Sequence, residues 1–269
     1  MMSSEVLLKV EDLNIEFHDH NKPETVVYDF DLELSEGEIV GLVGESGSGK
    51  SMSAKAIAGL LNRKDVTCAG KIMFGDVDML HANRNQIRSI QGDDISMIFQ
   101  EPLSSLNPVY RIQHQIEEPL KIHNKELTDA QRYEKALKAL YEVELSNPEQ
   151  VMRQYPHELS GGMRQRVMIA MAMITEPKIL IADEPTTALD VTVQAQIVKL
   201  LMKLNKEHNT AILFISHDLS LVQKLCQRVL VMKDGRVVEE GDCQKVFSDP
   251  KEEYTKKLIA AIPKLPKFD

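Results

Sequence analysis

Gly44, Glu45, Ser46, Gly47, Ser48, Gly49, Lys50 and Ser51 follow one another in this chain, and the chemistry such a run serves is the capture of an anion. Glycines let a backbone turn sharply and aim N–H groups inward, and a helix starting there adds the positive end of its dipole. Lys50 would reach the outer phosphates of a ligand, and the Ser51 hydroxyl would hold Mg²⁺. A second set of reactive groups closes the apolar run Ile179-Leu180-Ile181-Ala182, which delivers Asp183 and Glu184 at its end. Neighbours on a strand end point differently, so Asp183 is placed to bind the Mg²⁺ shell through water and Glu184 to orient and deprotonate an attacking water. A third apolar run, Ala211 to Ile215, ends at Ser216 and His217, and His217 reads as a terminal-phosphate contact. The plainer alternatives are a ligand-free glycine turn, a solvated acid pair and a structural histidine.

The flanking elements favour the chemical reading. Glu38 to Val43 is a short β-prone strand, and Met52 to Leu61 has apolar residues at helical spacing. Strand, glycine loop and helix in that order are what a phosphate-binding loop requires. Ahead of it, Val6 to Phe17 reads as one or two strands broken near Glu11-Asp12, and Val26 to Leu34 as another. His18 and His20, in the polar loop between them, lack further ligands and read as solvated surface. Gly70 to Val77 resembles a hairpin, Asn83 to Ile90 a short helix, and Ile95 to Phe99 a strand ending at Gln100. A proline-punctuated loop, Glu101 to Pro108, then leads into amphipathic patterns over 111–124 and 128–145. The second opens with Thr128 and Gln131 in capping-box spacing, and Tyr155 to Glu158 breaks the pattern. Ser160 sits where an N-cap belongs, with Gly161 and Gly162 behind it. That makes a second anion-ready helix start, which taken alone is as well read as structural. Arg228 to Met232 and Arg236 to Glu239 form a closing hairpin, and Tyr254 to Ile262 a terminal helix stopped by Pro263.

Bulk properties exclude several classes. The 269 residues carry 32 Lys plus Arg against 41 Asp plus Glu, a formal charge of −9, which disfavours a general nucleic-acid binder. No apolar run approaches the roughly 18 residues of a membrane span, and the N-terminus does not read as a secretory signal. Cys68, Cys226 and Cys243 are far apart with no CxxC, fitting a reducing compartment and no structural zinc. A soluble cytoplasmic protein is expected.

Taken together, GESGSGKS at 44–51, Gln100 after a strand, LSGGMRQR at 159–166, ILIADEP at 179–185, Ala188-Leu189-Asp190 and His217 resemble the ATP-binding subunit of an ABC transporter over essentially the whole chain. IFQEPLSSLNP at 98–108, TTALDVTVQAQI at 186–197 and EEYTKKLIAAIP at 252–263 resemble the oligopeptide, dipeptide and nickel importer branch. The resemblance implies an α/β P-loop NTPase of RecA-like core, with an N-terminal antiparallel β subdomain and an inserted helical subdomain. Residues 1–269 would be one domain, about 1–100 and 159–269 forming the core and 102–158 the helical lobe.

It further implies ATP and Mg²⁺ as cofactors and a head-to-tail pair of subunits, self or paralogue, with two ATPs between them. The nucleotide would meet the 44–51 loop and Met52 on one subunit, and Ser160, Gly161, Gly162 and Gln165 on the other, with Asp190 communicating across the pair. Gln100 would touch the Mg²⁺ and the attacking water and report to the membrane subunits, so the implied metal set is Ser51, Gln100 and Asp183. The implied catalytic set is Lys50, Gln100, Glu184 and His217. Phe17 resembles the aromatic that stacks on adenine, with Tyr28 as a rival. Partners would be two transmembrane permease subunits and, indirectly, an extracytoplasmic solute-binding protein, at the cytoplasmic face of the membrane; no nucleic acid is expected. Many members of this branch continue into a cysteine-bearing tail. Here no cysteine follows Cys243, so no iron–sulfur cluster is expected and the nickel or metal-chelate reading stays open beside the peptide one. A soluble non-transport ABC ATPase is the rival of a different class, and it usually carries two cassettes or a long coiled-coil insertion.

Overall fold

A computed structural model describes residues 5–19, 22–61, 63–100, 105–187 and 189–262. His20, residues 101–104 of the proline-punctuated loop, Ala188 and Pro263 lie outside the described residues. In chain order the first elements are β1 (Val6–Asp19), β2 (Lys22–Ser35), β3 (Ile39–Val43), α1 (Lys50–Ile57), β4 (Val66–Phe74) and β5 (Val77–Asp78). They are followed by α2 (Arg84–Ile90), β6 (Ile95–Ile98), α3 (Ile112–Ile116), α4 (Glu118–His123), α5 (Asp129–Glu142) and α6 (Pro148–Arg153). A 3₁₀ turn at Pro156–Glu158 precedes α7 (Gly161–Met173), β7 (Ile179–Asp183), α8 (Val191–His208) and β8 (Ala211–Ile215). The chain then forms α9 (Leu219–Leu225), β9 (Arg228–Lys233), β10 (Arg236–Asp242), α10 (Cys243–Ser248) and α11 (Glu253–Ala260).

These elements gather into two compact units. Among the described residues, one takes 5–7, Ser35–Gly37 and His81–Ile212; the other takes Leu8–Leu34, Glu38–Leu80 and 213–262.

The second unit holds an antiparallel sheet in the order β2-β1-β4-β5. Its β1 does not break at Glu11-Asp12 as the sequence suggested. The strand continues through a bulge, with the pairing to β4 shifting register between Glu11 and Asn14 and Asp12 at φ 50°. The bulge explains the pattern: Leu8 and Val10 are buried before it and Leu13 and Ile15 after it, so one extra residue keeps the same face inward. Gly70 on β4 faces the bulge, where a Cβ would fall 2.4 Å from Asp12 O. The same unit carries β9 between β10 and β3, with β3 and β9 parallel from Val40↔Arg228 to Val43↔Val231. All five residues of β3 and of β8 are buried, the signature of strands covered on both faces.

In the first unit β6 and β7 pair in parallel, Ile95↔Ile179 to Ile98↔Ala182. The helix expected over 111–124 is two short helices, because Pro119 sits in the first turn of α4. Proline has no N–H to continue the ladder and crowds the preceding turn. The capping box opening α5 is formed as read, Thr128 Oγ1 accepting from Gln131 N and Gln131 Oε1 from Thr128 N. The short α6 had no clear sequence signal.

A buried amide closes this unit around the start of β8. Asn205 Nδ2 donates to Thr210 O at 2.7 Å and to Gly37 O at 3.0 Å, and Thr210 Oγ1 donates to Pro177 O at 2.8 Å. Asn205→Ala strands two carbonyls without their donor, so a loss of about 2–3 kcal/mol is expected in urea unfolding. An unchanged unfolding midpoint would show that water takes over both bonds.

Candidate functional site

The phosphate-loop candidate lies in the second unit. Buried β3 delivers the chain to Gly44, whose φ of 152° and close approach to Met232 O, 2.1 Å from where a Cβ would be, exclude any side chain. Gly49 caps α1 at φ 102°, and a Cβ there would lie 2.9 Å from Val26 O. Glu45, Ser46 and Gly47 form an exposed rim, while Ser48 and Lys50 are each 5% exposed. Ser51 and Met52 are half-buried in the first turn of α1. Lys50 Nζ donates to Glu45 O at 2.7 Å, Gly44 O at 2.9 Å and Ser48 Oγ at 3.2 Å. The first turn of α1 contains no acidic residue, so no side chain there offsets the positive end of the dipole.

His217 is exposed at the end of β8. It is held between Ser216, whose Oγ accepts from Asp218 N at 2.9 Å, and Asp218, which caps α9 through Ser220 N at 2.9 Å. The two aromatic candidates differ. Tyr28 has the Arg236 guanidinium 4.6 Å above its ring and Gly235 packed against its edge. Phe17 is half-buried on β1.

The candidate carboxylates lie in the first unit. Asp183 ends β7 at 3% exposure. Glu184 follows it at φ 47°, a left-handed conformation that costs an L-residue of this type roughly 1–3 kcal/mol and persists where surroundings impose it. Those surroundings are visible: Glu184 Oε2 accepts from Thr187 Oγ1 at 2.8 Å and from Gln100 Nε2 at 2.9 Å. The sequence points to Gln100 and Glu184 separately; the structure bonds them to each other. Thr187 went unnoticed, though a hydroxyl three residues beyond the acid was the available signal.

Ser160 N-caps α7, its Oγ accepting from Met163 N at 3.3 Å. Gly162 serves packing as well as the helix start, since a Cβ there would meet Val193 Cγ1 of α8 at 3.0 Å. Ser160, Gly162, Met163 and Arg166 help line a cavity of about 500 Å³ within this unit. Gln165, expected to contact nucleotide, is 2% exposed with Nε2 lacking a hydrogen-bond partner. It faces inward because it lies on the core side of α7, between buried Leu159 and Val167–Ala170. Asp190 is exposed and N-caps α8 through Val193 N at 3.0 Å, a local role the Asp-Val-Thr-Val pattern also encodes.

Of the residues expected to hold Mg²⁺, Ser51 in the second unit offers a hydroxyl oxygen, while Gln100 and Asp183 in the first offer an amide and a carboxylate oxygen. Among the described residues no group of three or more His, Cys, Asp or Glu could hold a metal. Oxygen donors in small number suit Mg²⁺, which keeps waters and shares its coordination with substrate phosphates. Among the described residues, no helix is long and apolar enough to cross a membrane.

Comparison with known proteins agrees with this geometry. Residues 27–187 match the ABC transporter family. The chain is 45% identical to the dipeptide transport ATP-binding protein DppD of Haemophilus influenzae over 96% of its own length and 78% of that protein. It is 45% identical to the oligopeptide transport ATP-binding protein OppD of Escherichia coli, over 97% of its own length and 77% of the relative. It is 49% identical to the peptidoglycan transport ATP-binding protein YejF of Agrobacterium fabrum, where it spans 48% of the relative's length. Among solved structures it superposes with a TM-score of 0.78 and 29% identity on an ATP-binding cassette solved as a dimer in a post-hydrolysis state with ADP and Pi, covering 88% of this chain and 98% of that one. CbiO1 of Clostridium perfringens, part of an ABC transporter complex, gives 0.77 at 28% identity over 96% of each chain. The fold is that of an ABC ATPase cassette, and with more than half its length matched the chain belongs to the ABC transporter family.

Proposed function

We propose that the chain hydrolyses ATP to power an importer of peptides, acting at the cytoplasmic face of the membrane as one cassette of a head-to-tail pair. The observation that carries this reading is 45% identity to proteins named for dipeptide and oligopeptide transport over nearly the whole chain. Two permease subunits and an extracytoplasmic solute-binding protein complete the assembly, and residues 1–269 act as a single cassette.

Lys50 and the amides of the 44–51 loop bind the phosphates, and Phe17, the less encumbered aromatic, stacks on adenine. Ser51, Gln100 and Asp183 would hold Mg²⁺, which when bound would neutralise charge on the phosphates. Glu184 takes a proton from the attacking water, oriented by Gln100 and Thr187, while His217 contacts the terminal phosphate. Ser160, Gly161 and Gly162 grip the phosphate held by the other subunit, so ATP closes the pair and hydrolysis releases it. Asp190 links the two sites.

The test is reconstitution with the permease pair and solute-binding protein, measuring ATP turnover. Turnover stimulated by peptide-loaded binding protein is the expected result; stimulation by a metal chelate instead would overturn the substrate class. In the same assay Thr187→Val, which keeps shape and removes the hydroxyl donor to Glu184, is expected to lower turnover about threefold to tenfold, the worth of one hydrogen bond. ATP affinity should stay, and Thr187→Ser should restore the rate. Wild-type turnover in Thr187→Val would leave the hydroxyl no part in orienting the base.

A further inference from the structure

We infer that Tyr254 is a positioning residue for the phosphate-binding loop, through which the C-terminal helix α11 sets the loop's affinity for nucleotide. The inference rests on the nucleotide-binding reading above. Tyr254 lies within the EEYTKKLIAAIP stretch, which no part of the reaction just described uses.

The Tyr254 hydroxyl accepts a hydrogen bond from the backbone N–H of Glu45 at 3.0 Å. Glu45 is the first residue of the loop's exposed rim, and its carbonyl accepts from Lys50 Nζ at 2.7 Å and from Ser48 N at 3.2 Å. At the other side, Ser48 O accepts from Gly235 N at 3.1 Å. The four residues 45–48 are therefore fastened from outside at both ends by groups of the C-terminal region. Loop conformation decides where the N–H groups aim, so an external tie at Glu45 acts on phosphate binding without touching phosphate.

A tie is only as firm as its anchor, and α11 is anchored. Glu239 on β10 accepts from Lys251 N at 2.7 Å and Glu252 N at 3.1 Å, tying down the two residues that lead into the helix. Thr255, next to Tyr254, is 2% exposed, and Lys233 Nζ stands 5.3 Å from the Tyr254 ring centroid. Burial pushes the Tyr254 hydroxyl above its ordinary range, so it stays protonated and uncharged at neutral pH.

The experiment compares the full-length wild type with Tyr254→Phe by titration with a fluorescent ATP analogue and by amide hydrogen exchange. Tyr254→Phe keeps the ring over Lys233 and removes only the hydroxyl. A twofold to tenfold weaker affinity is expected, the reach of one neutral hydrogen bond, with faster exchange confined to peptides covering 44–51 and an unchanged melting temperature. A role in packing alone would shift melting and leave the loop's exchange as it was. Glu239→Gln, which loosens the anchor and leaves the hydroxyl in place, should weaken binding in the same direction. If the wild type binds the analogue and Tyr254→Phe matches it in affinity and loop exchange, the inference fails. If the wild type does not bind, the nucleotide reading itself fails.

Discussion

Glu184→Gln is expected to slow ATP turnover by about 10²–10⁴-fold while leaving ATP affinity near the wild-type value, the span a positioned general base supplies. The substitution is nearly isosteric, so it isolates basicity from packing. Glu184 Oε2 is the common acceptor of Gln100 Nε2 and Thr187 Oγ1. An amide in its place keeps one carbonyl oxygen for those donors and loses the capacity to take a proton. Glu184→Asp sharpens the test, because it keeps the carboxylate and withdraws it by one methylene from both donors; it should also lose most of the turnover. The left-handed backbone at φ 47° is retained in both variants, so neither gains stability by relieving strain. Turnover is read in the reconstituted complex and affinity by titration of the isolated subunit. A Glu184→Gln complex that hydrolyses at the wild-type rate would remove Glu184 from the role of base. Lost affinity at an unchanged melting temperature would make it a ligand-binding group instead.

The candidate site residues are readable because each follows a short apolar strand stretch: Val43 before Gly44, Ala182 before Asp183, Ile215 before Ser216. Burial on both faces leaves no alternation to confuse the pattern, and the acid or glycine that follows marks the edge. What could not be read was pairing. Gln100 and Glu184 are 84 positions apart, and Tyr254 and Glu45 are 209 apart, distances over which periodicity carries no information. The bulge at Asp12 looked like a strand break because its signal, a one-residue slip in the buried alternation, is the same in both cases until the partner Gly70 is seen. Pro119 alone should have divided the 111–124 pattern; the amphipathic spacing on either side outweighed it. The place of Gln165 in the LSGGMRQR run points to a nucleotide contact, and its 2% exposure is the feature the run alone does not convey.

Lys50→Ala should abolish most nucleotide binding, and here two free-energy terms separate in a measurable way. Lys50 is a 5% exposed cation that donates to two carbonyls and a hydroxyl of its own loop. Charged hydrogen bonds are worth about 1.5–3 kcal/mol each, so losing one such contact to a phosphate costs roughly ten- to a hundredfold in affinity. For the protein without nucleotide a separate cost applies, because removing the ammonium strands its buried acceptors Gly44 O and Ser48 Oγ, worth about 1–3 kcal/mol. The melting temperature therefore separates the two effects. In wild type, nucleotide at a hundredfold excess over its Kd adds about 2.7 kcal/mol of stability, or roughly 5–10 °C at the 2–4 °C per kcal/mol typical of large domains. Lys50→Ala is expected to melt below the wild type without nucleotide and to keep at most about half of that rise at the same nucleotide concentration. Lys50→Arg should fail as well, since the planar guanidinium does not fit a pocket shaped around a compact ammonium with three diverging donors. An undiminished rise in Lys50→Ala would mean that the loop amides and the end of α1 hold the phosphates alone, and the buried ammonium would be a structural tie of the loop.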